Sequence, residues 1–162
     1  SQKQRDCNSH EYNFFHSNNA FTYKYNIIFA CMEENALHKP HYEVVAAVIT
    51  HLGKTFCVQR GRTKYEYTSY KFEFPGGKIE PGETEAEALV REIREELMAD
   101  ISADSKLGTV HHEYPDFEVT LHFWQCSLQR GTLTLTEHAQ GQRLTSGQMK
   151  EIDWVEADKK FI

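Results

Sequence analysis

The chain of 162 residues has no C-x-x-C pair and no Cys/His cluster at zinc-ligand spacing. It also has no apolar run long enough to cross a membrane as a helix. A stretch such as Ile27-Ile28-Phe29-Ala30-Cys31-Met32 is far short of the roughly 20 residues a span requires. Positive charge is the scarcer sign: 18 Lys and Arg face 24 Asp and Glu, for a formal net charge of −6. That balance excludes non-specific binding to long nucleic acid, which needs a basic surface. It leaves phosphate substrates open, because a bound divalent cation inverts the local charge. The four cysteines are scattered. Cys57 and Cys126 sit in strand-like apolar runs and read as buried thiols, so the compartment reads as reducing and cytoplasmic. None of the nine histidines has zincin spacing; His111, His112, His122 and His138 read as structural or exposed.

Residues 1–41 contrast with the rest. Ser1 to Asn19 is polar, rich in Asn, His and Gln, and lacks apolar periodicity. The early Met, Met32, precedes Glu33-Glu34-Asn35-Ala36-Leu37, which resembles an ordinary N-terminus. We expect residues 1–31 to be an expression or start-site extension, with 1–41 outside the fold and one domain over 42–162. The alternative is a true arm in which Phe21 to Phe29 pairs as an edge strand.

From Glu43 the pattern alternates short strands with one strong helix. Val44-Val45-Ala46-Ala47-Val48-Ile49 is a strand covered on both faces, and Leu52-Gly53-Lys54 turns it into Thr55–Arg60 as a hairpin. Pro75-Gly76-Gly77 reads as a loop. A helix is expected over about Glu85–Leu97, capped by Thr84 with Glu87 completing a capping box. Its apolar face is Ala86, Leu89, Val90, Ile93 and Leu97. Further strands are expected at Gly108–Tyr114, Glu118–Ser127 and Thr132–Leu135, and a short helix near Gly147–Glu151. The class is α/β with a mixed sheet.

On that helix Glu92, Glu95 and Glu96 share one stripe with Glu85, and Ala88 leaves space above them. Like charges three and four residues apart repel, so the stripe calls for a counter-ion. Hard cations such as Mg²⁺ or Mn²⁺ take carboxylate oxygens and retain substrate phosphates as further ligands. Gly76-Gly77 offers backbone that can come close to a metal or a phosphate, and Glu83 enters just ahead of the helix.

These residues resemble the Nudix hydrolases, whose box runs G-x5-E-x7-R-E-U-x-E-E-x-G-U, with U an aliphatic residue. Gly77, Glu83, Arg91, Glu92, Ile93, Glu95 and Glu96 match it. Met98 and Ala99 stand where the box has Gly and an aliphatic, so either the helix continues toward Asp100 or its end is a strained left-handed turn. The flanks, Phe72 to Lys78 and Glu113-Tyr114-Pro115-Asp116, resemble the MutT-type branch. Gly131-Thr132-Leu133 to Glu137-His138 is similar to (deoxy)CTP pyrophosphohydrolase-like members.

The resemblance implies a Nudix α/β/α sandwich with the box as loop-helix-loop. It implies hydrolysis of a nucleoside triphosphate to monophosphate and pyrophosphate, in the manner of nucleotide-pool sanitation, with Mg²⁺ as cofactor and Mn²⁺ as the alternative. Glu92, Glu95, Glu96 and the Gly76 carbonyl would hold the ion, Glu92 doubling as general base. Glu83 would orient, Arg91 would brace the loop–helix junction, and Glu137 would complete the metal site or serve as another base. Arg60, Phe74, Gly77, Lys78, Tyr114 and Asp158 are the candidate substrate-binding residues. Asp158 stands where 8-oxo-dGTP hydrolases carry an Asn that reads the purine. An ionised carboxylate only accepts hydrogen bonds, which favours the amino group of a cytosine nucleotide, base-modified ones included, with Tyr114 stacking on the base. Two alternatives remain: another nucleoside diphosphate substrate such as ADP-ribose or a sugar nucleotide, and a non-hydrolytic ligand sensor. The expected partner is a small-molecule nucleotide, with no long nucleic acid, no membrane, and a monomer or homodimer.

Overall fold

The computed structural model describes residues 39–130, 133, 134, 136, 138 and 140–162. The sequence expectations for residues 1–38, Gly131, Thr132, Leu135 and Glu137 lie outside the described residues. Strand pairing begins at His41, within the stretch read from sequence as an extension, and the Pro40 carbonyl already accepts from Glu118 N.

Strand β1 (His41–His51) is the spine of the sheet. It runs parallel to β6 (Glu118–Arg130), from His41 opposite Glu118 to Ile49 opposite Cys126. β2 (Lys54–Gln59) returns antiparallel through Leu52 and Gly53, both at positive φ, which is the two-residue turn whose twist suits a hairpin. β3 (Phe72–Glu73) pairs with β2, and β4 (Gly76–Lys78) with the first half of β1. β5 (Asp100–Glu113) lies antiparallel to β6, and β7 (Gln140–Leu144) pairs with β2. The sheet is therefore mixed, as expected. Gly76-Gly77, expected as loop, is strand.

Helix α1 spans Glu85–Leu97, with the reciprocal Thr84–Glu87 capping box in place. A cap of this kind contributes about 1 kcal/mol. Leu89, Ile93 and Leu97 are fully buried on one face of the sheet against Val45, Ala47, Ile49 and Val58, each contributing roughly 1.5–3 kcal/mol. The opposite face carries Ala46, Cys57, Phe72, Phe74, Phe123 and Trp154, covered by α2 (Ser146–Met149) and α3 (Glu156–Lys159). Burial pushes the Cys57 and Cys126 thiols up to about 12, so both are inert hydrophobes.

Three expectations are corrected. The buried arc of α1 is Ala88, Leu89, Ile93, Glu96 and Leu97, whereas Ala86 and Val90 are only half buried. Ala88 leaves no open space; its small side chain is packed in the core. The helix is thereby turned so that the glutamate stripe borders the core. Leu133 and Thr134 form no strand: Thr134 N and Thr136 N donate to the Leu97 and Glu96 carbonyls, satisfying the open end of the helix. Met98 ends α1 in the left-handed region, at φ 52 and ψ 35, so the strained turn is the outcome at the box glycine position.

Candidate active site

Pairing of β4 with β1 sets Gly76 and Gly77 opposite Ala46 and Val45. Gly76, at φ +149, lies so close to the Val45 carbonyl that no Cβ fits there. A Cβ on Gly77 would overlap the Glu92 carboxylate. α1 thus presses its carboxylates onto bare backbone. Glu96 accepts from Gly76 N at 3.1 Å, and its burial, with Glu73 and Glu92 nearby, pushes its carboxyl up to about 7. Glu95 departs from this arrangement: its side chain is 59% exposed, against 16% for Glu92.

Arg91 is the brace. It holds Glu83 through two bonds of 2.7 and 2.8 Å, Glu92 at 2.8 Å, and the Lys78 carbonyl at 3.0 Å. Glu83 also accepts from Glu80 N, and Arg91 draws its carboxyl down to about 2. Glu83 is thus a strut between loop and helix.

Beside Gly76-Gly77 opens a cavity of about 650 Å³. Arg60, Arg62, Lys64 and Lys78 line it, a basic rim on an acidic protein. Lys78 Nζ stands 3.8 Å over the Tyr42 ring. Arg60 pairs with Glu73 at 3.3 Å. The site includes two residues that sequence reasoning missed, Glu73 and His138. His138 Nε2 lies 3.3 Å from Glu73 and 4.0 Å from Glu96, and its buried Nδ1 has no partner among the described residues. The two acids raise the imidazole above its ordinary range against the opposing effect of burial. Phe72-Glu73-Phe74 alternation was the available signal for Glu73; no spacing rule marked His138.

The C-terminal segment is stitched to β3, with Phe72 N bonded to Asp153 O and Val155 N to Phe72 O. That carries Asp158 to the cavity wall, where its Oδ1 accepts from Phe74 N at 2.9 Å. Asp158 is only 4% exposed, and burial, with Glu73 nearby, pushes its carboxyl well above the ordinary carboxylate range. That upward shift runs against the ionised, accept-only Asp158 expected from the sequence: where the carboxyl is protonated it carries a donor as well. The Phe74 ring is also relocated, buried against Trp154 and Phe123 instead of facing the cavity. Tyr114 lines the cavity but is 6% exposed, stacked on Tyr67, with its hydroxyl accepting from Ala157 N.

Among the described residues no three Asp, Glu, His or Cys side chains stand as a ready ion cage. The donor set still fits a hard cation. Glu92 and Glu96 converge on a glycine pair with no room for side chains, and Glu96 carries repulsion that a cation would relieve.

The NUDIX domain family matches residues 39–161. The chain is 43% identical over 63 residues to an 8-oxo-dGTP diphosphatase of Proteus vulgaris, covering 39% of this chain and 56% of that protein's length. It is 38% identical over 96 residues to the CTP pyrophosphohydrolase of Escherichia coli K12, covering 59% of this chain and 70% of that protein. Among solved structures, the E. coli ORF135 protein is 31% identical with a TM-score of 0.64, over 74% of this chain and 84% of that one. A MutT protein of methicillin-resistant Staphylococcus aureus 252 is 38% identical with a TM-score of 0.60, over 75% and 92%. With Gly77 and Glu96 at the cavity, Glu92 packed against Gly77, Arg91 holding Glu83 and Glu92, and the family matched across nearly the whole described region, the chain belongs to the Nudix family.

Proposed function

We propose that the protein is a Mg²⁺-dependent nucleoside triphosphate pyrophosphohydrolase of the MutT type, with Mn²⁺ as an alternative ion. The carrying observation is the juxtaposition at one cavity of Glu96, on the bare Gly76-Gly77 backbone, with a basic rim and a buried carboxyl, Asp158, on the wall. Nudix hydrolases generally need a divalent metal, and the relatives named above are diphosphatases and pyrophosphohydrolases.

Glu92 and Glu96 would hold the ion with the Gly76 carbonyl, and Glu95 from the exposed side. When bound, it supplies charge neutralisation and acidifies water. Arg60, Arg62 and Lys78 draw the phosphates in and orient them, since phosphoryl chemistry depends on positioning and charge. Glu92, held by Arg91 beside Gly77, takes the proton from the attacking water, and Glu83 keeps that arm in place. Glu137 remains a proposed second base or ligand.

Cytosine-type and base-modified nucleotides remain the proposed substrates. Asp158 favours a second reading alongside them: burial favours its protonated form, which can donate to a purine oxygen, so 8-oxo-dGTP joins the candidates. A nucleotide panel with Mg²⁺, read as pyrophosphate released, tests the proposal. We expect dCTP-type or 8-oxo-dGTP turnover that excess EDTA abolishes; absence of turnover for every triphosphate overturns it.

A further inference from the structure

We propose that Phe117, and not Tyr114, is the ring on which the nucleobase stacks. The inference rests on the reading of the cavity as a nucleotide site. Tyr114 is spoken for: Tyr67 stacks on it at 5.5 Å and 17°, His112 meets it edge-on at 4.3 Å, and it is almost wholly buried. Phe117 closes the turn that Tyr114 opens, with Tyr114 N donating to the Phe117 carbonyl at 2.8 Å. It is only half buried and lines the cavity.

Three rings hold Phe117 in place. Tyr114 lies 4.7 Å away tilted by 35°, Tyr65 5.4 Å away tilted by 34°, and Tyr42 meets it edge-on at 5.7 Å. All four line the same cavity. Hydrogen bonds cross-link the surround. Tyr65 sits in a loop whose ends close through Tyr70 N and the Gly61 carbonyl, and the Thr63, Thr68 and Ser69 hydroxyls all donate to its own carbonyl. Tyr67 ties that loop to the turn beside Phe117 by a 2.9 Å bond to Asp116. A half-exposed ring flanked in this way by three others offers a pre-positioned partner for a planar heterocycle. The Tyr114 hydroxyl, bonded to Ala157 N, keeps the platform next to Asp158, so the two functions divide. Phe117 accepts the face of any base, and Asp158 reads its edge.

Phe117→Leu keeps apolar bulk and removes the π-face, while Phe117→Tyr keeps the face. With dCTP and Mg²⁺ we expect Phe117→Leu to raise KM about tenfold, with kcat within about twofold and Phe117→Tyr close to wild type. Inorganic tripolyphosphate, which has no base, should inhibit wild type and Phe117→Leu equally. Should triphosphate turnover be absent, the calorimetric Kd of dCTP replaces KM in the same contrast. An unchanged KM or Kd in Phe117→Leu, or an equal loss for dCTP and tripolyphosphate, overturns the assignment while leaving the proposed activity standing. Failure of wild type to bind any nucleotide overturns both.

Discussion

The Glu92 carboxylate occupies the space that a side chain on Gly77 would need. Glycine at this position is therefore a requirement of contact between helix and strand, beyond the freedom of its own backbone. Gly77→Ala must displace Glu92 or part β4 from α1. A displacement of about 1 Å at a reacting centre costs on the order of a hundredfold in rate. We expect kcat/KM to fall by about that factor, with circular dichroism unchanged. Full activity in Gly77→Ala would show that Glu92 does not act from this position.

Glu96 couples the site to stability. Its carboxyl is pushed up to about 7, above an unfolded value of about 4.3. For an acid raised in the folded state, the stability it confers is complete below the unfolded value and is lost as pH rises through the folded one. Glu96→Gln, neutral throughout, should therefore gain Tm over wild type between pH 5 and pH 8 in EDTA, while kcat with Mg²⁺ falls about a hundredfold or more. Glu95→Gln should lose activity without that gain, because its side chain is largely exposed. Parallel Tm profiles for wild type and Glu96→Gln would refute the burial argument.

Asp158 links pH to base choice. As pH rises its neutral fraction falls, and with it the donor for a purine oxygen. The ratio of kcat/KM for 8-oxo-dGTP over dCTP should decline as pH rises in wild type and stay flat in Asp158→Asn, which donates at every pH. A lost donor opposite a buried oxygen costs about 1–3 kcal/mol, so the change is about tenfold. A flat wild-type ratio would remove Asp158 from base recognition.

Met98 holds a left-handed conformation with 65% of its surface exposed, so it bears strain with little packing in return. Met98→Gly should stabilise by about 1 kcal/mol and raise Tm by a few degrees, with kcat/KM unchanged. A lower Tm would show that the Met98 side chain contributes more than its exposure indicates.

What the sequence determined by itself was the local part. The bounds of α1, its Thr84–Glu87 capping box, the Leu52-Gly53 hairpin and Arg91 as a brace were all legible, because each depends on partners a few residues apart or on a motif of fixed spacing. The mixed sheet was legible in outline from the alternation of strands with one helix. Gly76-Gly77 read as loop because glycine and proline usually punctuate; its strand pairing comes from Val45 and Ala46, some thirty residues earlier in the chain. The tilt of α1 that half-exposes Ala86 and buries Glu96 was set by packing against that sheet. Glu73, His138 and Asp158 come from three separate stretches of the chain, and only the tertiary structure sets them around one cavity. The upward shift of the Asp158 carboxyl was likewise invisible: an aspartate reads as ionised until burial withdraws its water, and burial is a property of the assembled fold.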